Sequence, residues 1–114
     1  MCGLFAMTSV TEPTIRFDIF IAGDLAQAKQ TCREFCLIHG ECVTVEPVTF
    51  IYTGGEECGV RVGLINYPRF PRDAATLNDV ARRLAQMLLH RLFQHSYSIV
   101  GSAETVWFSL KDTP

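Results

Sequence analysis

The sequence predicts an α+β sandwich: a four-stranded antiparallel sheet with two helices on one face. Three observations carry that reading. Apolar residues alternate with period two in four stretches, the mark of half-buried strands. Two intervening stretches carry an apolar stripe at helical spacing. The six segments follow in the order β-α-β-β-α-β, the ferredoxin-like plan. A length of 114 residues fits one domain, and 48% hydrophobic with 19% charged residues is an ordinary globular balance.

Residues 1–13 read as a flexible leader ending at Pro13, with Met7 as an alternative start; residues 14–114 form the domain. In the first strand, near 14–22, Ile15, Phe17, Ile19 and Ile21 alternate with Arg16, Asp18 and Phe20. Gly23 breaks the pattern and Asp24 follows as a helix N-cap, with Gln27 three residues on. The first helix, near 25–39, puts Leu25, Ala28, Cys32, Phe35, Cys36 and His39 on one face, and Gly40 supplies the left-handed C-cap.

The second strand is expected over 41–52 with a change of phase at Pro47, because proline cannot donate to a ladder. Val43 and Val45 would point inward before it, and Val48, Phe50 and Tyr52 after it. Thr53-Gly54-Gly55-Glu56-Glu57 reads as a hairpin turn; without a lysine or a following helix it is no phosphate loop. The third strand, near 58–66, sets Val60, Val62 and Leu64 inward. Prolines 68 and 71 make the next stretch a loop, and Thr76 with Asp79 caps the second helix, near 76–95. Leu77, Val80, Ala81, Leu84, Leu88 and Leu92 form its buried stripe. The last strand is read as one piece over 98–110, with Val106, Phe108 and Leu110 in phase.

Composition narrows the function classes. A formal net charge of -2 argues against a nucleic-acid partner, which calls for a basic excess. No window is long and apolar enough for a membrane span, so no membrane partner is expected. Five cysteines without a secretory signal ahead of them read as free thiols in the cytoplasm. Cys32, Cys36, His39 and Cys42 follow no standard zinc spacing, and thiols on the buried stripe of a helix are ordinary core residues, so neither metal nor cofactor is expected.

Two surfaces stand out. Asn66, Tyr67, Arg69 and Arg72 lie just ahead of the second helix and form a candidate site for a small anionic ligand, since a helix N-terminus and two guanidiniums both favour negative charge. On the sheet face away from the helices, alternation gathers Phe20, Arg61, Ile65, Tyr67 and Trp107, with Arg16 and Asp18 beside them. Thr49 and Ile51 join that face if the strand changes phase at Pro47. Gly59 and Gly63 would leave parts of it bare for a backbone or a flat ring. An apolar patch drawn from several strands is a candidate interface. The function expected is therefore a homo-oligomeric binding or assembly module; the rival is a small enzyme with a pocket at an oligomer interface. No catalytic residue is assigned by the sequence.

Two segments resemble known families. Cys42-Val43-Thr44-Val45-Glu46-Pro47-Val48-Thr49-Phe50-Ile51-Tyr52 resembles the second strand of CutA-type proteins, where a helix runs into Cys-Val, a proline and an Ile-Tyr pair. That resemblance implies a ferredoxin-like trimer linked to divalent-ion tolerance. The His-Pro-Tyr segment of that family is absent, so no functional residue is carried over. Met1-Cys2-Gly3-Leu4-Phe5 is similar to the start of class II glutamine amidotransferases, whose stacked sheets need a longer chain than 114 residues.

Overall fold

The structure, a computed structural model, describes residues 6–110; the amidotransferase-like segment 1–5 lies outside them. The elements run β1 (Arg16–Ala22), α1 (Leu25–His39), β2 (Thr44–Tyr52), β3 (Gly55–Ile65), α2 (Ala74–Arg91), β4 (Ser96–Val100) and β5 (Thr105–Ser109). They build one sheet in the order β2-β3-β1-β4-β5, with every neighbouring pair antiparallel. The α+β class and the two helices are as expected, but the sheet has five strands and not four.

The fifth strand arises inside the stretch read as 98–110. Tyr97 and Ile99 are buried, whereas Val106 and Phe108 are the half-buried residues further on. Odd positions point inward before residue 101 and even positions after 105, a switch that one continuous strand cannot make. A turn absorbs it: Gly101 N–H donates to the Glu104 carbonyl at 2.8 Å, and Ile99 pairs with Val106 and Tyr97 with Phe108.

The second strand is also corrected. It begins at Thr44 and pairs residue for residue with β3 through Tyr52, Pro47 opposite Val60, with no bulge. β2 is the outermost strand. A proline is tolerated there when its nitrogen faces solvent. Phase is therefore conserved: Val45, Pro47, Thr49 and Ile51 lie on the helix side, and Phe50 and Tyr52 on the open face.

Capping explains the helix limits. Asp24 accepts from Gln27 N–H at 2.9 Å, and Gly40, at φ 68°, closes α1 in the left-handed conformation. α2 starts earlier than expected because Asp73, not Thr76, is its cap; its carboxylate accepts from Thr76 N–H at 2.8 Å. Asp79 instead pairs with Arg83 one turn on, at 2.9 Å. α2 also stops at Arg91, short of residue 95. On α1, Ala28, Thr31, Cys32 and Phe35 are buried, but His39 is exposed.

One core lies between sheet and helices. Ile19, Val62, Leu77, Leu84 and Leu88 are fully enclosed, with Phe17, Phe35 and Leu64 nearly so; Phe108 is only half-buried against them. No helix among the described residues is long and apolar enough to cross a membrane.

Leu84 sits at 0% exposure on α2. Leu84→Ala should cost about 2–5 kcal/mol of stability in urea unfolding, since the cavity is closed on all sides. Leu37→Ala, at a residue 86% exposed, should change it by less than about 0.5 kcal/mol.

Candidate functional site

The two helices do not sit centrally on the five strands. α1 packs on β2 and β3, and α2 on β1, β4 and β3, so the helix-side edge of β5 has no helix above it. A cleft of about 300 Å³ results between the first turns of α2 and the β4–β5 turn. Its floor is apolar: Ile15, Phe17, Ile99 and Val106. Ala74 and Ala75, on the first turn of α2, are too small to fill it. Gly101 fits against the Phe17 ring only because it has no side chain; a Cβ there would lie 2.8 Å from that ring.

Four polar side chains border this floor: Thr14, Ser102, whose hydroxyl is engaged with the Arg16 backbone, Asn78 from α2 and Glu104 from the turn. Among the described residues the side chains of Asn78 and Glu104 have no hydrogen-bond or ion-pair partner. An apolar slot with a free amide and a free carboxylate can orient a flat, partly polar ligand. It holds no paired nucleophile and base. Sequence reasoning missed this site, although the phase switch and the Gly101-Ser102-Ala103-Glu104 turn were there to be read.

The expected anion site is built differently from a cradle. Asn66 is buried and acts as a clamp: its Oδ1 accepts from Arg72 N–H at 2.7 Å, and its Nδ2 donates to the Pro13 carbonyl at 3.2 Å. Arg72 forms a two-pronged pair with Glu41, both contacts at 2.7 Å, and the Glu41 carboxylate is only 7% exposed. That pairing raises the Arg72 pKa further. Both side chains therefore hold the loop. Tyr67 and Arg69 remain, and they line a larger cavity of about 770 Å³ together with Thr8, Val10, Cys42, Pro68 and Phe70.

On the open face, strand register sets Trp107, Ser98, Phe20, Arg61 and Glu46 in one row across all five strands. Trp107 is 59% exposed and Ile65 37%, whereas Tyr67 lies beyond the end of β3, its hydroxyl 3.6 Å from Cys42 Sγ. Arg61 Nε is 3.2 Å from the Glu46 carboxylate. Asp18 carries the unusual charge: Arg16 Nε meets its Oδ2 at 3.1 Å, while Oδ1 is buried with no donor and Arg61 Nε 4.0 Å away. The glycines are not bare. Phe50 lies over Gly59, and Thr44 and Asp18 fill the space above Gly63. A groove of about 190 Å³ runs between Trp107, Phe50 and Glu57 over Phe20, Ser96 and Ser98.

The thiols Cys32, Cys36, Cys42 and Cys58 are free. Burial, then the neighbouring Cys36, pushes the Cys32 thiol up to about 12; burial, then Cys42, raises Cys36. Neither is a ready nucleophile. Among the described residues no group of three or more His, Cys, Asp or Glu is placed to hold a metal ion.

No family model and no curated protein sequence matches this chain. Two solved structures do resemble it. One is a phage SAM lyase in complex with S-methyl-5'-thioadenosine, with TM-score 0.72, 11% identity, and 96% of this chain and 100% of that chain covered. The other is a phage SAM lyase in its apo state, with TM-score 0.71, 13% identity, and coverage of 93% and 100%. At such identities the likeness is one of fold.

The Arg72–Glu41 pair generates a direct test. Arg72→Met leaves a carboxylate that is 7% exposed without its partner, and should cost about 2–4 kcal/mol, somewhat less than for a fully enclosed pair because Arg72 is partly solvated. Adding Glu41→Gln to Arg72→Met should restore part of that loss in urea unfolding, which a purely steric role of Arg72 would not allow.

Proposed function

We propose that this chain is a small enzyme of the lyase kind, acting on an adenosyl sulfonium such as S-adenosylmethionine. The observation that carries the reading is the end-to-end structural likeness to phage SAM lyase, over 96% of this chain and 100% of the other. The cleft beside α2 supports it. About 300 Å³ is at the lower bound of a small-molecule pocket and suits a nucleoside thioether. The amide of Asn78 matches the paired donor and acceptor of an adenine edge. The floor of Ile15, Phe17, Ile99 and Val106 suits a methylthio group, and the Glu104 carboxylate complements a sulfonium charge at the rim.

The chemistry asks little of the protein. When the bond between the sulfonium sulfur and the four-carbon amino-acid chain breaks, sulfur keeps the electron pair and S-methyl-5'-thioadenosine remains. The substrate's own carboxylate oxygen bonds to the carbon that leaves sulfur, closing a five-membered lactone as the carbon–sulfur bond breaks, so no water, enzyme nucleophile or base is consumed. Orientation of the substrate and placement of charge are then the protein's contribution. That fits a site without a nucleophile–base pair.

A second reading rests on the open face: this chain assembles with copies of itself. The buried Asp18 Oδ1 without a donor and the exposed Trp107 favour it, because a second copy can supply both a donor and apolar cover. The two readings are compatible, since a copy seated there would also close the groove between Trp107, Phe50 and Glu57 into a pocket between subunits.

Calorimetric titration with S-methyl-5'-thioadenosine should show saturable binding that Asn78→Ala weakens by about fivefold to tenfold, the worth of one or two hydrogen bonds. Incubation with S-adenosylmethionine should yield S-methyl-5'-thioadenosine in step with substrate loss. No binding at low millimolar ligand together with no turnover would overturn the lyase reading. Binding untouched by Asn78→Ala but lost with Trp107→Ala would move the ligand to the open-face groove.

Analytical ultracentrifugation at micromolar concentration tests assembly independently. Trp107→Ala should weaken self-association by about 2 kcal/mol or more if that ring is a central anchor. A wild-type monomer with a freely quenched Trp107 would refute assembly through this face.

A further inference from the structure

The larger cavity, at the loop end of the sheet, is separate from the cleft beside α2 and plays no part in the proposed lyase chemistry. It measures about 770 Å³ and opens to solvent between residues 8–10 and the loop 67–70. Val10, Pro68, Phe70 and the ring of Tyr67 make it mostly apolar. An apolar cavity alone would not specify its occupant; its charge does.

Of the two arginines in this loop, Arg72 is neutralised by Glu41. Arg69 has no carboxylate partner among the described residues, and its guanidinium rests over the Phe70 ring, 5.6 Å from the centroid. Tyr67 adds a donor of the right sense. Its oxygen lies 3.6 Å from Cys42 Sγ, and the hydroxyl can turn from that weak sulfur partner to donate to a stronger oxygen acceptor. The hydrogen bond with Cys42, then burial, raises the Tyr67 pKa, so the hydroxyl keeps its proton at neutral pH. A cation and a neutral donor beside an apolar space complement an anionic head on an apolar body.

We propose that this cavity binds a small soluble organic carboxylate with an apolar body, its carboxylate held by Arg69 and Tyr67 and its body against Val10, Pro68 and Phe70. The anionic ligand expected from the loop sequence thus gains an apolar half. It loses Asn66 and Arg72 as contacts, because both are engaged in holding the loop.

Cys42 provides a readout that the lyase reading does not touch. It is exposed, lines this cavity, and has a control in Cys58, which is exposed on β3 outside the cavity. The experiment measures alkylation of each cysteine by iodoacetamide, resolved by peptide mass spectrometry, with octanoate as probe and octanol and octyltrimethylammonium as neutral and cationic comparators. Octanoate at ten times its Kd should slow Cys42 alkylation about tenfold by simple occupancy, and leave Cys58 unchanged. Arg69→Gln should raise the octanoate Kd about tenfold or more, the loss of a charge-assisted contact, with protection taken relative to that variant's own ligand-free alkylation rate. Phe70→Asp, a second exposed position, should abolish protection through the apolar half. Equal protection by all three probes, protection unchanged in Arg69→Gln, or no protection by octanoate would each overturn the proposal. None of these outcomes depends on whether S-adenosylmethionine is cleaved.

Discussion

The phase of β1 is the constraint on which the rest of this structure depends. It is the central strand, paired with β3 along its whole length, from Arg16 opposite Ile65 to Ala22 opposite Gly59, and with β4 on the other side. Phe17, Ile19 and Ile21 enter the core and Asp18 and Phe20 the open face. A slip of one residue would exchange those sets and put a carboxylate under α2. Because β3 and β4 take their register from β1, the same phase fixes Val60, Val62 and Leu64 inward, and aligns Arg61 and Ser98 beside Phe20. Both candidate surfaces of the sheet are consequences of that one alternation.

The cleft beside α2 follows from where the helices sit on the sheet. α1 sits over β2 and β3, and α2 over β3, β1 and β4, so the helix layer is displaced toward the β2 edge of the sheet. The strand left out is β5, and its inward residues are half-buried as a result. Fully apolar filling from α2 would close the gap; Ala74 and Ala75 do not supply it. The small residues there, and Gly101 against Phe17, keep open a space that packing alone would favour filling.

The carboxylates show how context decides the role of a charge. Glu41 is nearly enclosed but held by a two-pronged arginine, so it stabilises the loop end of the domain. Asp18 is 13% exposed, and one of its oxygens has no donor among the described residues. Glu104 is exposed at the border of a cleft, its carboxylate without a partner among the same residues. A buried polar atom without a partner carries a free-energy cost in the isolated domain, and a ligand or a second copy that supplies a donor recovers it. Such atoms are where binding has most to gain.

The sequence by itself determined the alternation of the strands, the helix stripe of Leu77, Ala81, Leu84 and Leu88, and the caps at Asp24 and Gly40. Each of these is a local pattern, written in neighbouring residues. Part of the fifth strand was legible too, in the switch from Tyr97 and Ile99 to Val106 and Phe108. The phase of β2 was not, because a proline marks either a bulge or an edge, and only the position of the strand in the sheet separates the two. Nor could the sequence tell that Arg72 is neutralised while Arg69 has no carboxylate partner among the described residues, since the partner of Arg72, Glu41, comes from the start of the loop after α1, far away in the chain. The same holds for Asn78 and Glu104, which lie far apart in the chain and border one cleft only because α2 stops short of β5. Local pattern sets which face each residue takes; where the helices settle on the sheet decides which of those faces meet, and which polar groups are left without a partner.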